Sequence, residues 1–230
     1  MARKKIVFVI VEGPSDDTAI GVLLNRIYDS NMVHIEIMHG DITSDLSVNS
    51  SNIVAYIGDV VKAYAEANHY EQIHFKEIIH LIDMDGAYIP DENILEDSSA
   101  EKPVYSLTDI RTANPRGIML RNARKRENIE KICCCPKIWT IPYSAYYMSS
   151  NLDHVLYGKL NSTDDEKEDD AFAFAKRYKN NIPGFIEYIT NSDFSVSEDF
   201  KESWKYIKEG LHSLERHTNF GICFKEISVK

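Results

Sequence analysis

Ile6-Val7-Phe8-Val9-Ile10-Val11-Glu12-Gly13-Pro14-Ser15-Asp16-Asp17 is the stretch whose reading decides the fold. Its apolar residues run without alternation and stop abruptly at a carboxylate. An unbroken run rich in Val and Ile fits a strand buried on both faces, not one with a solvated side. A second stretch has the same design: Ile78-Ile79-His80-Leu81-Ile82-Asp83-Met84-Asp85-Gly86. Carboxylates gathered at strand ends are costly unless positive charge offsets them. A divalent cation is the usual answer, since hard cations take oxygen ligands.

Working outward, residues 4–12 read as the first strand and Gly13-Pro14-Ser15 as a turn. Ile20, Leu23, Leu24, Ile27 and Tyr28 then fall on one helical face. Residues 33–38 form a second strand ending in His39-Gly40-Asp41. Ile53, Tyr56, Ile57, Val60, Val61 and Tyr64 make a second helical stripe, and residues 77–82 a third strand. Strand and helix alternate, which predicts an α/β fold with a mainly parallel, Rossmann-like sheet flanked by helices. Residues 86–116, with Pro90, Pro103 and Pro115, read as a long loop or insertion. A helix is expected over 117–131 and a buried strand over 137–141, closed by Pro142. The last third is different in character. An acidic stretch over 162–170 precedes Ala171, Phe174, Ala175 and Tyr178 at helical spacing. Phe200, Trp204, Ile207, Leu211 and Leu214 form a further stripe. The expected organisation is an α/β domain over 1–160 and a helical C-terminal lobe over 161–230.

The 230-residue chain is long enough for a sizeable core, and its net charge is −10. That charge argues against a broad non-specific nucleic-acid surface, but not against a nuclease whose own metal site is acidic. No apolar run is long enough to span a membrane. The basic start at Arg3, Lys4 and Lys5 is not followed by a signal-peptide pattern, so a cytoplasmic, non-membrane protein is expected. Cys133, Cys134, Cys135 and Cys223 match no zinc spacing and suggest no disulfide framework.

Ligands of open parallel sheets bind outside the carboxyl ends of the strands. The predicted strands deliver Glu12, then His39 and Asp41, then Asp83 and Asp85, then Tyr143 and Ser144 to that edge. On a regular strand Asp83 and Asp85 would share a face about 6–7 Å apart. Asp16, one helical turn past Glu12, can reach back toward it. His39 and Asp41 are candidate substrate groups. The main basic cluster is Arg111, Arg116, Arg121, Arg124, Lys125 and Arg126. Within it Arg121, Arg124 and Lys125 share a helix face suited to phosphate-backbone contact.

An apolar strand ending in Glu-Gly, an acid four residues on, and a later strand ending in Asp-x-Asp resemble the Toprim domain. That domain is the metal-binding fold of topoisomerases, bacterial primases and OLD-family nucleases. The matching positions are Glu12, Asp16, Asp83 and Asp85, and the resemblance covers about residues 4 to 160. Asn151-Leu152-Asp153-His154-Val155-Leu156 is similar to a further acidic motif of OLD-like members, which makes Asp153 a fifth metal ligand. The resemblance implies Mg²⁺ or Mn²⁺ and a nuclease using two-metal phosphodiester chemistry on DNA or RNA. Glu12, Asp83 and Asp85 would be its catalytic residues, and its role would be defence against phage or other foreign nucleic acid. The gap between Glu12 and Asp83 is longer than in compact Toprim domains. No phosphate-binding Gly-rich loop is present. A stand-alone protein is therefore expected, with an ATPase or other protein partner, or a second copy of itself. Two rivals remain. The segment from Ile79 to Gly86 is similar to the first motif of HAD-like phosphatases, with Asp83 as nucleophile, although Ala87 stands where Thr or Val is usual. A Toprim-like fold could also serve as a non-catalytic binding or sensor subunit.

Overall fold

The computed structural model describes residues 4–28, 33–196 and 199–225. It is an α/β protein with a mostly parallel mixed sheet between helices. The elements relevant to the site are β1 (Lys5–Val11), α1 (Pro14–Ile27), β2 (Val33–His39), α2 (Ile53–Ala67) and β3 (Phe75–Asp83). A small sheet follows, with β4 (Ile94–Glu96), β5 (Val104–Tyr105) and β6 (Ile110–Thr112). Then come α3 (Pro115–Cys133), β7 (Lys137–Ile138), β8 (Ile141–Met148) and α4 (Leu152–Tyr157). The chain continues through α5 (Asp164–Tyr178), α6 (Ile182–Asn191) and α7 (Phe200–Tyr206).

The main sheet has the order β2-β1-β3-β8-β7, parallel except for the β7–β8 hairpin. Both faces of β1 are buried, which explains its unalternating sequence. Val7, Val9 and Val11 pack with α1, α4, α5 and α6 on one side. Ile6, Phe8 and Ile10 pack with α2, α3 and Trp204 of α7 on the other. The connection after β1 thus covers one face and the connection after β2 covers the other. The loops leaving β1 and β3 depart toward opposite faces at that switch, the place where open parallel sheets bind their ligands.

Three expectations need correction. The strand expected over 137–141 and closed by Pro142 is a hairpin. Trp139 and Thr140 form its two-residue turn, both at positive φ (47° and 66°). Pro142 pairs with Lys137 in that hairpin, and the ladder to β3 begins only at Tyr143. Proline is tolerated because its missing N–H lies ahead of the ladder. As a result Tyr143 and Ser144 face Ile78 and Ile79 low on β3 and do not reach the carboxyl edge. Tyr143 instead meets the buried His80, with 2.8 Å between its hydroxyl and Nδ1. Burial holds the His80 imidazole down to about 3, so it is neutral.

Second, residues 86–116 are not an irregular loop. Ile94 and Ile110 of the small sheet face Ile89, Ile118 and Leu214 in a satellite core. Third, the stripe from Phe200 to Leu214 is not one helix. α7 stops at Tyr206, and the chain then turns through Gly210 at φ +53°. The helices after residue 160 bury Phe174, Phe185 and Ile189 in the cluster that also holds Val7 and Ile79. They complete the sheet's own core.

Gly86 ends the turn after β3 at φ +65°, and a Cβ there would lie 2.7 Å from Leu214 Cδ2, a buried side chain. Left-handed backbone and overpacking both penalise a larger residue. Gly86→Ala is expected to lower unfolding stability by about 1–3 kcal/mol, measured by urea denaturation.

Candidate metal centre

β3 ends at Asp83, and the chain turns at once, with Asp85 at φ +49°. The two aspartates therefore do not share a strand face. Asp85 is held through both its backbone groups. Its N–H donates to Ser150 O at 2.7 Å, and its carbonyl accepts from the Arg121 guanidinium at 2.7 Å. Glu12 follows β1 directly. The loop after β2 is docked by the Gly40 N–H on Val11 O at 2.8 Å. This brings Asp41 to the same point, where Thr43 Oγ1 and Ser44 N–H donate to Asp41 Oδ1.

Glu12, Asp41 and Asp85 each offer a carboxylate oxygen within 4.8 Å of the others, so this half-buried triad can hold a metal ion. The cation among them is Lys125. Its ammonium lies 2.5 Å from Asp85 Oδ2, 3.4 Å from Glu12 Oε1 and 3.8 Å from Asp41 Oδ1, and its side chain is fully buried. Burial pulls the ammonium's pKa down. The charges of Asp85, Glu12 and Asp41 more than reverse this, so it stays protonated.

The face of α3 predicted to meet phosphate exists, but it packs inward. Lys125 serves the triad. Arg121 is held by Asp85 O, by Asn122 Oδ1 and by the Tyr105 hydroxyl at 2.7 Å. Arg124 donates to Ser44 O. Buried Asn122 and Asn128 reach Gly86 O and Thr43 O. One helix thus ties down both the β3 turn and the loop after β2. These asparagines, and Lys125 as counter-ion, were missed by sequence reasoning. The only available signal was the polar stripe 121, 122, 125, 128, which on its own looks solvated.

Asp83 has the opposite situation. Among the described residues its carboxylate makes no hydrogen bond and no ion pair. Burial raises its pKa well above the usual range, and the charges of Glu12, Asp16 and Asp85 raise it further, with Lys125 opposing. Glu12 is likewise raised, by burial first, with Lys125 opposing. Asp41 ends below the usual range: burial pushes it up, but Lys125 and the Ser44 and Thr43 bonds outweigh that.

Asp16 sits in the first turn of α1, where its Oδ2 accepts from the Gly13 N–H at 2.9 Å. Burial pushes it up to about 6, with Asp153 adding to the rise. Asp153 opens α4, is only 4% exposed, and faces Lys167 Nζ at 3.5 Å through Oδ2. Its Oδ1 is buried with no hydrogen-bond partner. His39 lies at the rim, 3.4 Å from Asp17, and its side chain is 40% exposed. The convergent oxygens of Glu12, Asp41 and Asp85 are hard donors of the kind a divalent cation takes.

The chain matches no protein-family model, no curated protein and no solved structure. No helix among the described residues is long and apolar enough to cross a membrane.

The raised Asp16 value has a measurable consequence. Its folded-state pKa, about 6, exceeds the ordinary value of about 3.9, so the native state binds this proton more readily than the unfolded state. The ionised group therefore costs stability above that range, and the cost fades as pH falls from about 6 toward 4. In EDTA, the stability advantage of Asp16→Asn over wild type is expected to be about 1–2 kcal/mol larger at pH 7.5 than at pH 5. Paired denaturant titrations at the two pH values check it. An unchanged difference would refute the shift.

Proposed function

We propose that this chain is a Toprim-like nuclease that hydrolyses phosphodiester bonds in DNA or RNA with Mg²⁺ or Mn²⁺. One observation carries the reading. At the ends of adjacent parallel strands, Asp83 stands among Glu12, Asp16 and Asp85 with no hydrogen bond or ion pair of its own among the described residues. Lys125 offsets Glu12 and Asp85, but a buried carboxylate left without a partner of its own is a functional-site signal. A divalent ion held there supplies Lewis acidity toward a phosphoryl oxygen and lowers the pKa of water.

The chain's own groups then divide the work. Asp83 and Asp85 are the oxygen donors on the β3 turn. Glu12, raised by burial, is suited to accept a proton from attacking water. Asp16 and Asp153 complete the acidic wall. Arg121, fixed by Tyr105 and Asp85, holds the turn in shape. An acidic surface with few free cations near the centre favours a substrate positioned by a few local contacts or by a partner protein.

The test is cleavage of plasmid DNA and single-stranded RNA with Mg²⁺, Mn²⁺ or EDTA, alongside para-nitrophenyl phosphate. Wild type is expected to nick only with metal, and Asp83→Ala to fall below about one hundredth of that rate, since losing a ligand costs more than losing an outer-shell group. Turnover of the phosphomonoester without nicking would replace this reading with the phosphatase in which Asp83 is the nucleophile. Inactivity on every substrate would favour a binding subunit.

A further inference from the structure

Residues 211–219 run as a strap across the end of β8 and the turn after β3. Ser213 O accepts from Ser150 N–H at 2.8 Å and from Gly86 N–H at 3.2 Å. His217 O accepts from Ser149 N–H at 2.9 Å, and His217 N–H donates to Ser149 Oγ at 2.6 Å. Arg216 donates to Val155 O of α4 at 2.7 and 2.9 Å. Asp85 N–H donates to Ser150 O, so the strap bears on the β3 turn through a residue that it holds.

An aromatic cluster pins the strap against α7. The His212 ring stacks on Tyr206, with centroids 3.9 Å apart and planes 13° from parallel, and its Nδ1 lies 2.6 Å from Tyr206 O. His217 Nε2 lies 3.1 Å from the Tyr206 hydroxyl and 3.4 Å from Glu215 Oε2. The other ring nitrogen of His217, Nδ1, is buried with no hydrogen-bond partner. A neutral imidazole with its proton on Nε2 fits these surroundings and leaves only a bare lone pair on Nδ1. An imidazolium does not, because it must bury an N–H with nothing to accept it. The groups around the ring add to that cost. Arg216 precedes it in the chain, His154 of α4 is within electrostatic reach, and His212 lies 5.6 Å away, ring to ring. Glu215 is the one carboxylate facing it among the described residues, and that side chain is 43% exposed.

We propose that residues 211–219 are a pH-released strap, closed while the His217 imidazole is neutral and let go when it takes up a second proton. On release both ring nitrogens reach water, and Gly86, Ser149 and Ser150 lose their backbone acceptors. Burial holds this imidazole below its ordinary value of about 6.5, with Glu215 opposing, so the closed strap binds the proton less readily than the open one. The closed state is therefore fully favoured above about pH 6.5 and loses ground as pH falls below it. The device acts through backbone bonds and stands apart from the nuclease reading.

The experiment is amide hydrogen exchange of the full chain in EDTA at pH 7.5 and pH 5, with rates converted to protection factors so that intrinsic pH effects cancel. The Ser149 and Ser150 amides report the strap, and the amides of β1 report the sheet beneath it. In wild type the Ser149 and Ser150 factors are expected to fall at least about fivefold relative to those of β1. His217→Gln, neutral at both pH values, is expected to abolish that difference. Glu215→Gln removes the carboxylate that favours the imidazolium and is expected to move the fall to lower pH. It decides the matter even if His217→Gln does not fold. No relative fall in wild type, an equal fall in His217→Gln, or a fall that stays in place or moves to higher pH in Glu215→Gln would each overturn the proposal.

Discussion

The buried ammonium of Lys125 is the interaction on which the rest of the site depends. A lysine with no exposed side-chain surface is costly, and removing the partners of a buried charge commonly costs several kcal/mol. Here the three carboxylates come from the ends of three elements that are far apart in sequence. The cost is offset only when β1, the β3 turn and the loop after β2 are all in place. The same is true in reverse, since without the ammonium these carboxylates would repel one another across a short gap. The ion cluster therefore couples the assembly of α3 to that of the sheet edge.

The sheet meets this demand because both of its faces are covered. α1 lies on one side and α2 on the other, so the strand-end loops diverge and leave room for acidic groups. The C-terminal segment completes the frame. Ser150 N–H and Gly86 N–H both donate to Ser213 O, and Ser149 N–H donates to His217 O. Asn219 Oδ1 accepts from Tyr147 N–H at 2.8 Å, in the buried interior. A segment remote in sequence thus sets the height of the β8 end, and through Ser150 O the position of Asp85.

The α/β class and the parallel core were legible because they depend on local pattern. The run from Ile6 to Val11 needs two covered faces, and the stripes of α1 and α2 supply them. That Glu12, Asp41, Asp83 and Asp85 lie at strand ends was also legible, as charges placed where an apolar run ends, but Asp41 was read as a substrate group and its convergence with Glu12 and Asp85 was not. The β7–β8 hairpin was not. Its turn uses Trp139 and Thr140 at positive φ, residues that carry no turn signal, so Pro142 was taken for a terminator. The small sheet was hidden because strands of two or three residues are too short to show a period. The inward turn of the α3 polar face was invisible for a different reason. A sequence shows that Arg121, Asn122, Lys125 and Asn128 share a face, but not that the surface opposite them is acidic.

The two margins of the main sheet have a bearing on solution behaviour. β7 is two residues long and ends in a tight left-handed turn, so it offers almost no ladder for another chain to extend. On the other margin β2 carries His34 and Glu36, paired at 3.4 Å, along a strand that is otherwise apolar at Val33, Ile35 and Ile37. Short margins and charged ones are how β-proteins discourage edge-to-edge polymerisation. A chain whose interior strands are as apolar as β1 and β3 would be amyloid-prone if those strands were exposed. Keeping them at the centre, with blunted neighbours outside, separates the segment most able to aggregate from the surface where aggregation would start.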